Sequence, residues 1–324
     1  MASAEAVLAV IEAGGAHVPP LMERVEQRLA ALAAGHGDVL AEHAGTTIAA
    51  GGKRLRPLLV LLAAGPPAAG GEDRLVRAAA AVELVHSATL VHDDVLDAAP
   101  LRRGRPTVFA AAGARMATAT GDLLFSRAFA ELARNERADQ VRVLSTASSA
   151  LAQGELLQRA DAWNLGVPRE RYLRRCDLKT ARLFQAACEL GALETGGSAE
   201  LLGEFGRRIG LAFQLLDDVL DVSGPAERTG KHRGTDLLDG TVTLPLILAR
   251  ERDGAVAGLD LRAVRTPAEA EAVCDAIAAT GALETARSQA LEMVAAAKAS
   301  LPELPEAQRG ALELVADGVV DRYA

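Results

Sequence analysis

The sequence predicts an all-α fold, and three observations carry that expectation. Apolar side chains recur at three- and four-residue intervals along almost the whole chain, as in the run Leu75, Ala78, Ala79, Val82 and Val85, and strict alternation is rare. Ala, Leu, Glu and Arg, all good helix formers, dominate the composition. Aromatic residues make up only 3% of the chain, which disfavours the β-rich architectures that use them. Breaks between helices are expected where helix-ending and turn-forming residues combine. These fall at Gly65-Pro66-Pro67, Pro100, Gly166 to Pro168, Gly196-Gly197, Ser223-Gly224-Pro225 and Pro302 to Pro305. No break is long enough for an interdomain linker and no fixed-period repeat is present. Residues 1–324 are therefore expected to form one helical bundle around one core.

Composition bounds the function. With 324 residues, 50% of them apolar, the chain can bury a sizeable core. A formal net charge of -8 argues against general affinity for nucleic acid, so an anionic substrate would have to be held by local basic groups. Cys176, Cys188 and Cys274 are too few and too scattered for a disulfide framework or a metal cage. Glu5 and Glu12 stand where a signal peptide would be basic, and no apolar run is long enough to span a membrane; a cytoplasmic location is the expectation.

The informative signal is a repeated acidic cluster, Asp93-Asp94-Val95-Leu96-Asp97 and Asp217-Asp218-Val219-Leu220-Asp221, both D-D-x-x-D. Four residues turn a helix through roughly 400°, so Asp93 and Asp97 share a face about 40° wide, as do Asp217 and Asp221. One such cluster alone is also what a solvated helix face looks like. Two of them, each preceded by apolar pairs (Leu90-Val91 and Leu215-Leu216), point to paired carboxylate faces that a divalent cation would neutralise. Magnesium suits an open carboxylate face because it keeps waters and takes phosphate oxygens. Basic residues cluster nearby, in Gly51-Gly52-Lys53-Arg54-Leu55-Arg56-Pro57 and in Leu101-Arg102-Arg103-Gly104-Arg105-Pro106. Neither has P-loop spacing, and either could be an exposed turn. His86 lies seven residues before Asp93 on the same helical face, where a hydrogen-bonded core histidine is the alternative.

With these flanks, the two motifs resemble the trans-isoprenyl diphosphate synthase (polyprenyl synthetase) family over nearly the whole chain. The resemblance implies a bundle around a deep central cavity, with the motifs facing each other and holding about three magnesium ions on an allylic diphosphate. It implies Asp93, Asp94, Asp97 and Asp217 as ligands, with Asp218 and Asp221 supporting or binding through water. It assigns Lys53, Arg56, His86 and Arg103 to isopentenyl diphosphate, and Arg102 and Lys231 to the allylic diphosphate. Lys179, Thr180 and Gln214 would line an allylic cation. Thr241 stands where the family usually carries lysine, a departure that weakens the allylic site unless Arg233 replaces the charge. A homodimer is also implied.

For product length, the resemblance points to the residues below the first aspartates. Thr89 is one turn before Asp93 and small, and the Ala88-Thr89 pair resembles that of longer-chain members. A product longer than C20 is expected, with Phe125 or Phe129 as floor residues, although their four-residue spacing also fits plain core packing. Two other functions compete. A class I terpene cyclase would carry a different metal motif at the second site, and a non-catalytic partner subunit would be expected to have lost aspartates that are all present here.

Overall fold

The computed structural model describes residues 4–35, 37–49, 52–102, 104–224 and 232–321. In chain order the helices are α1 (Ala4–Ala13), α2 (Val18–Ala34), α3 (Asp38–Ala49), α4 (Leu55–Ala64), α5 (Glu72–Leu96), α6 (Val108–Ala133), α7 (Ala138–Asp161) and α8 (Arg169–Cys176). A π-helical segment (Asp177–Ala181) leads into α9 (Arg182–Thr195) and α10 (Ala199–Ser223). After these come α11 (Thr235–Leu238), α12 (Leu244–Arg252), α13 (Gly254–Ala257), a short 3-10 turn (Leu261–Ala263), α14 (Pro267–Ala279), α15 (Ala282–Ala299) and α16 (Glu306–Asp321). The all-α expectation holds, and the breaks at Gly65, Pro100, Gly166, Gly196, Gly224 and Pro302 lie outside the helices. Pro19 and Pro20 lie in the first turn of α2, where an imino nitrogen costs nothing.

The core forms around α4, whose residues Pro57 to Ala64 are all buried. A helix apolar on every side has no solvent face, so it must be surrounded. It packs on α5 and α9; α5 also packs on α2 and α6, and α9 on α7 and α10, while α15 covers the outside of α10. The C-terminal α16 closes the bundle against α1 and α4. There Gln308 Nε2 donates to the Leu62 and Ala63 carbonyls at 2.9 and 3.0 Å, satisfying acceptors at the end of α4. All three cysteines are buried and free, and burial pushes the Cys176 and Cys274 thiols up to about 12.

Two departures from the sequence reading bear on the site. Leu101–Arg102 and Arg105–Pro106 pair as a small antiparallel hairpin, β1 and β2, instead of a plain loop. Lys179 and Thr180 lie on the π-helical segment, not on a regular helix. Wider helical turns of this kind recur at functional sites because they redirect side chains. Here tight packing accompanies the distortion: a Cβ on Gly154 of α7 would lie 2.5 Å from the Lys179 nitrogen, and one on Gly210 of α10 would lie 2.7 Å from Ala181 Cα.

Candidate active site

The first acidic motif ends α5. Asp94 is buried and accepts from Arg102 of β1, with both the Nε and the second terminal nitrogen 2.8 Å from Oδ1. Asp97, at the helix end, accepts from Arg159 of α7 at 2.6 Å. Burial, foremost, pushes the Asp93 carboxyl up to about 6, with Lys179 opposing and Glu155 and Asp97 adding to the rise. Lys179 reaches from the π segment to Glu155, which also accepts from Arg159 at 2.7 Å. Burial works against the Glu155 carboxylate, but these two cations outweigh it and hold Glu155 below its usual range.

The second motif lies on α10 and is supported differently. Asp218 is buried, and its two oxygens accept from Gln214 Nε2 at 2.8 Å and from the Tyr172 hydroxyl at 2.7 Å. Gln214 Oε1 in turn accepts from the Thr180 hydroxyl at 2.7 Å, which joins the motif to the π segment. Burial pushes Asp218 up to about 6 against the pull of Arg175, Gln214 and Tyr172, and Asp217 adds to the rise. Asp236, on α11, has its N–H donating to Asp221 Oδ2 at 3.2 Å, and its own carboxyl is driven well above the usual range, first by burial and then by Asp221, Asp218 and Asp217. Buried Arg175 opposes this charge from behind while its guanidinium donates to the Val242 carbonyl at 2.8 Å.

The donor set fits divalent cations. Each motif offers carboxylates at helical spacing, and the upward displacement of Asp93, Asp218 and Asp236 shows that the protein alone leaves this negative charge under-compensated. Among the described residues no group of three His, Cys, Asp or Glu side chains forms a ready cage, so an ion here would draw further ligands from water and phosphate.

Of the basic residues, His86 and Arg102 line one cavity together with Arg54, Glu83, Asp94 and Arg105. Arg56 lies with its guanidinium 4.6 Å from the Phe184 ring centroid, toward α9, and Lys53 is half-buried just before α4. Arg103 and Lys231 lie outside the described residues. Arg54, which the sequence reading passed over, is the buried anchor of this corner: it adopts a left-handed backbone (φ 48°) and pairs with Glu26 at 2.5 Å and Glu83 at 2.8 Å. Ala88 is buried, and the Thr89 hydroxyl donates to the His86 carbonyl at 2.7 Å, so the small side chain spends its polarity on its own helix. Phe125 stacks on His92 at 5.8 Å between centroids and packs against the core. Phe129, one turn further along α6, also packs against the core.

Residues 38–280 match the Polyprenyl synthetase family. The chain belongs to that family. It is 42% identical over 258 residues, covering 78% of this chain and 79% of the relative, to a protein from Geobacillus stearothermophilus named heptaprenyl diphosphate synthase component 2. It is 38% identical, over 84% of this chain and 86% of the relative, to the geranylgeranyl diphosphate synthase of Methanosarcina mazei. The fold superposes with a TM-score of 0.86 on a polyprenyl synthase from Caulobacter crescentus complexed with calcium and isoprenyl diphosphate, at 36% identity and covering 99% of this chain and 98% of that one. As a member, the protein is a prenyl diphosphate synthase, an enzyme that transfers prenyl groups and depends on a divalent metal.

Sequence reasoning missed the residues that stand behind the motifs: Glu155 and Arg159 on α7, Tyr172 and Arg175 on α8, and Asp236. Glycines at 154 and 210 inside helical patterns were the one available sign that backbones approach closely at the site.

Proposed function

We propose that the protein condenses isopentenyl diphosphate with a farnesyl or geranylgeranyl diphosphate primer by ionisation, condensation and proton loss, giving an all-trans polyprenyl diphosphate longer than C20. The observation that carries this is the π segment between the two carboxylate faces: Lys179 is coupled to the first motif through Glu155, and Thr180 to the second through Gln214. Bound by Asp93, Asp94, Asp97 and Asp217, with Asp218 and Asp221 supporting or binding through water, about three magnesium ions would stabilise the negative charge developing on the leaving diphosphate. Lys179 and Arg102 turn from their present carboxylate partners toward the allylic diphosphate, and His86 and Arg56 hold isopentenyl diphosphate. Thr180 and Gln214 face the allylic cation with oxygen dipoles, and the apolar walls of α5, α6 and α9 keep water away until the double bond attacks. The released diphosphate takes the proton. The active form is a cytoplasmic homodimer.

Ala88 and Thr89 leave room for a growing chain, and Phe125 or Phe129 limits it. Purified protein incubated with magnesium, labelled isopentenyl diphosphate and farnesyl diphosphate should yield products above C20 after removal of the diphosphate. Phe125→Ala or Phe129→Ala should lengthen them, whichever residue forms the floor. Products that stop at C15 or C20 with substrate in excess rule out the long-chain assignment. The name of the Geobacillus relative favours one further reading, a subunit that needs a second component. Turnover without any partner excludes it.

A further inference from the structure

Four side chains link α8 to the middle of the site. Tyr172 is fully buried and its hydroxyl donates to Asp218 Oδ2 at 2.7 Å. Asp218 Oδ1 accepts from Gln214 Nε2 at 2.8 Å, and Gln214 Oε1 accepts from the Thr180 hydroxyl at 2.7 Å. The direction of the chain is forced from its far end. An ionised carboxylate only accepts, so Gln214 must turn its amino group to Asp218 and its carbonyl to Thr180. The Thr180 proton is thereby committed, and its oxygen has only lone pairs to offer anything beyond.

We propose that Tyr172 is a positioning residue that, through Asp218 and Gln214, fixes the Thr180 hydroxyl with its lone pairs toward the allylic cation; this rests on the prenyl transfer proposed above. A lone pair fixed before the cation forms stabilises it without reorganisation, whereas a hydroxyl proton pointing the same way opposes it. The phenol oxygen is not needed to hold the ring, because the Arg175 guanidinium lies 5.2 Å from the ring centroid and is itself anchored on the Val242 carbonyl. Asp218, with a protein donor on each oxygen, acts here as the acceptor that orients Gln214.

Tyr172→Phe keeps the ring and removes one link, a hydrogen bond to a charged group. The expected result is a kcat about tenfold lower, with KM for both diphosphates and half-saturating magnesium unchanged within about twofold. Thr180→Val should cost more, and the double variant Tyr172→Phe/Thr180→Val should be no slower than Thr180→Val alone, because the relay then has nothing to act on. If Tyr172→Phe does not accumulate as folded protein, Asp218→Asn reads the same relay: it removes charge from the second motif as well as the acceptor that orients Gln214, so it should lower kcat in both a Thr180→Ser and a Thr180→Val background, but by several-fold more in the first; equal losses overturn the inference. Active wild type with losses that multiply in the double variant, or Tyr172→Phe at wild-type kcat, overturns the inference alone. Wild type that makes no prenyl product from any allylic primer overturns the prenyl-transfer assignment and the inference together.

Discussion

The two D-D-x-x-D motifs have the same spacing and opposite surroundings. At the end of α5, the carboxylates meet long cationic side chains: Arg102 on Asp94, Arg159 on Asp97, and Lys179 near Asp93. On α10, Asp218 meets neutral donors from Tyr172 and Gln214, a fourth carboxylate, Asp236, crowds in, and the opposing cation Arg175 stands behind with its guanidinium on a backbone carbonyl. Spacing thus sets which face a carboxylate presents, and neighbours set how much of its charge is left for a ligand. The first motif is surrounded by cations that could pass to a diphosphate, and the second by neutral donors, a further carboxylate and one cation behind it, while burial raises Asp93 and Asp218 alike.

This contrast can be broken by experiment, most severely at the carboxylates themselves. Asp93→Ala and Asp217→Ala should each lower kcat by about a thousandfold or more, since metal stabilisation of the leaving group is worth several kcal/mol; steady-state turnover at saturating substrate measures it. Asp236→Asn removes crowding charge from the second motif only. Half-saturating magnesium should rise about 10- to 100-fold while the metal-free protein gains thermal stability, a pairing that a purely structural Asp236 would not give.

The pH dependence follows from Asp93 and Asp218, both pushed from an ordinary 3.8 up to about 6. For an acid raised in the folded state, the unfolded chain loses its proton first, so the folded protein binds more protons between the two values. Stability of the metal-free protein therefore falls as pH rises from about 4 through about 6, and the loss is complete above that. Magnesium should offset it, giving a larger rise in Tm at pH 8 than at pH 5; equal rises at both would contradict the charge argument. Arg159→Ala should have the smallest effect, no more than about fivefold on kcat/KM, because the partly exposed pair with Asp97 is worth about 1 kcal/mol or less.

Much of this arrangement was legible in the sequence. Helix breaks were readable because Gly and Pro act locally, and the motif faces because four-residue spacing fixes direction on any helix. The hairpin at Leu101–Pro106 was not, since two-residue strands have no periodicity to detect. Nor was the π segment: no Gly or Pro falls between Arg169 and Leu190 to mark it, and the close neighbours Gly154 and Gly210 come from helices distant in sequence. Tyr172 and Arg175 share a helix face, yet their partners lie 46 and 67 residues away, beyond any local pattern. Asp236 is 15 residues from Asp221 in sequence, and only folding sets the two side by side.

The central claim is that both motifs jointly hold metal on an allylic diphosphate, and binding tests it most directly. Calorimetric titration of a non-ionising thio analogue of farnesyl diphosphate into wild type, Asp93→Ala and Asp217→Ala, with and without magnesium, separates the contributions. Magnesium-dependent binding in wild type that is lost in both variants is the predicted result; binding of equal strength without magnesium, or unchanged in Asp217→Ala, would contradict it.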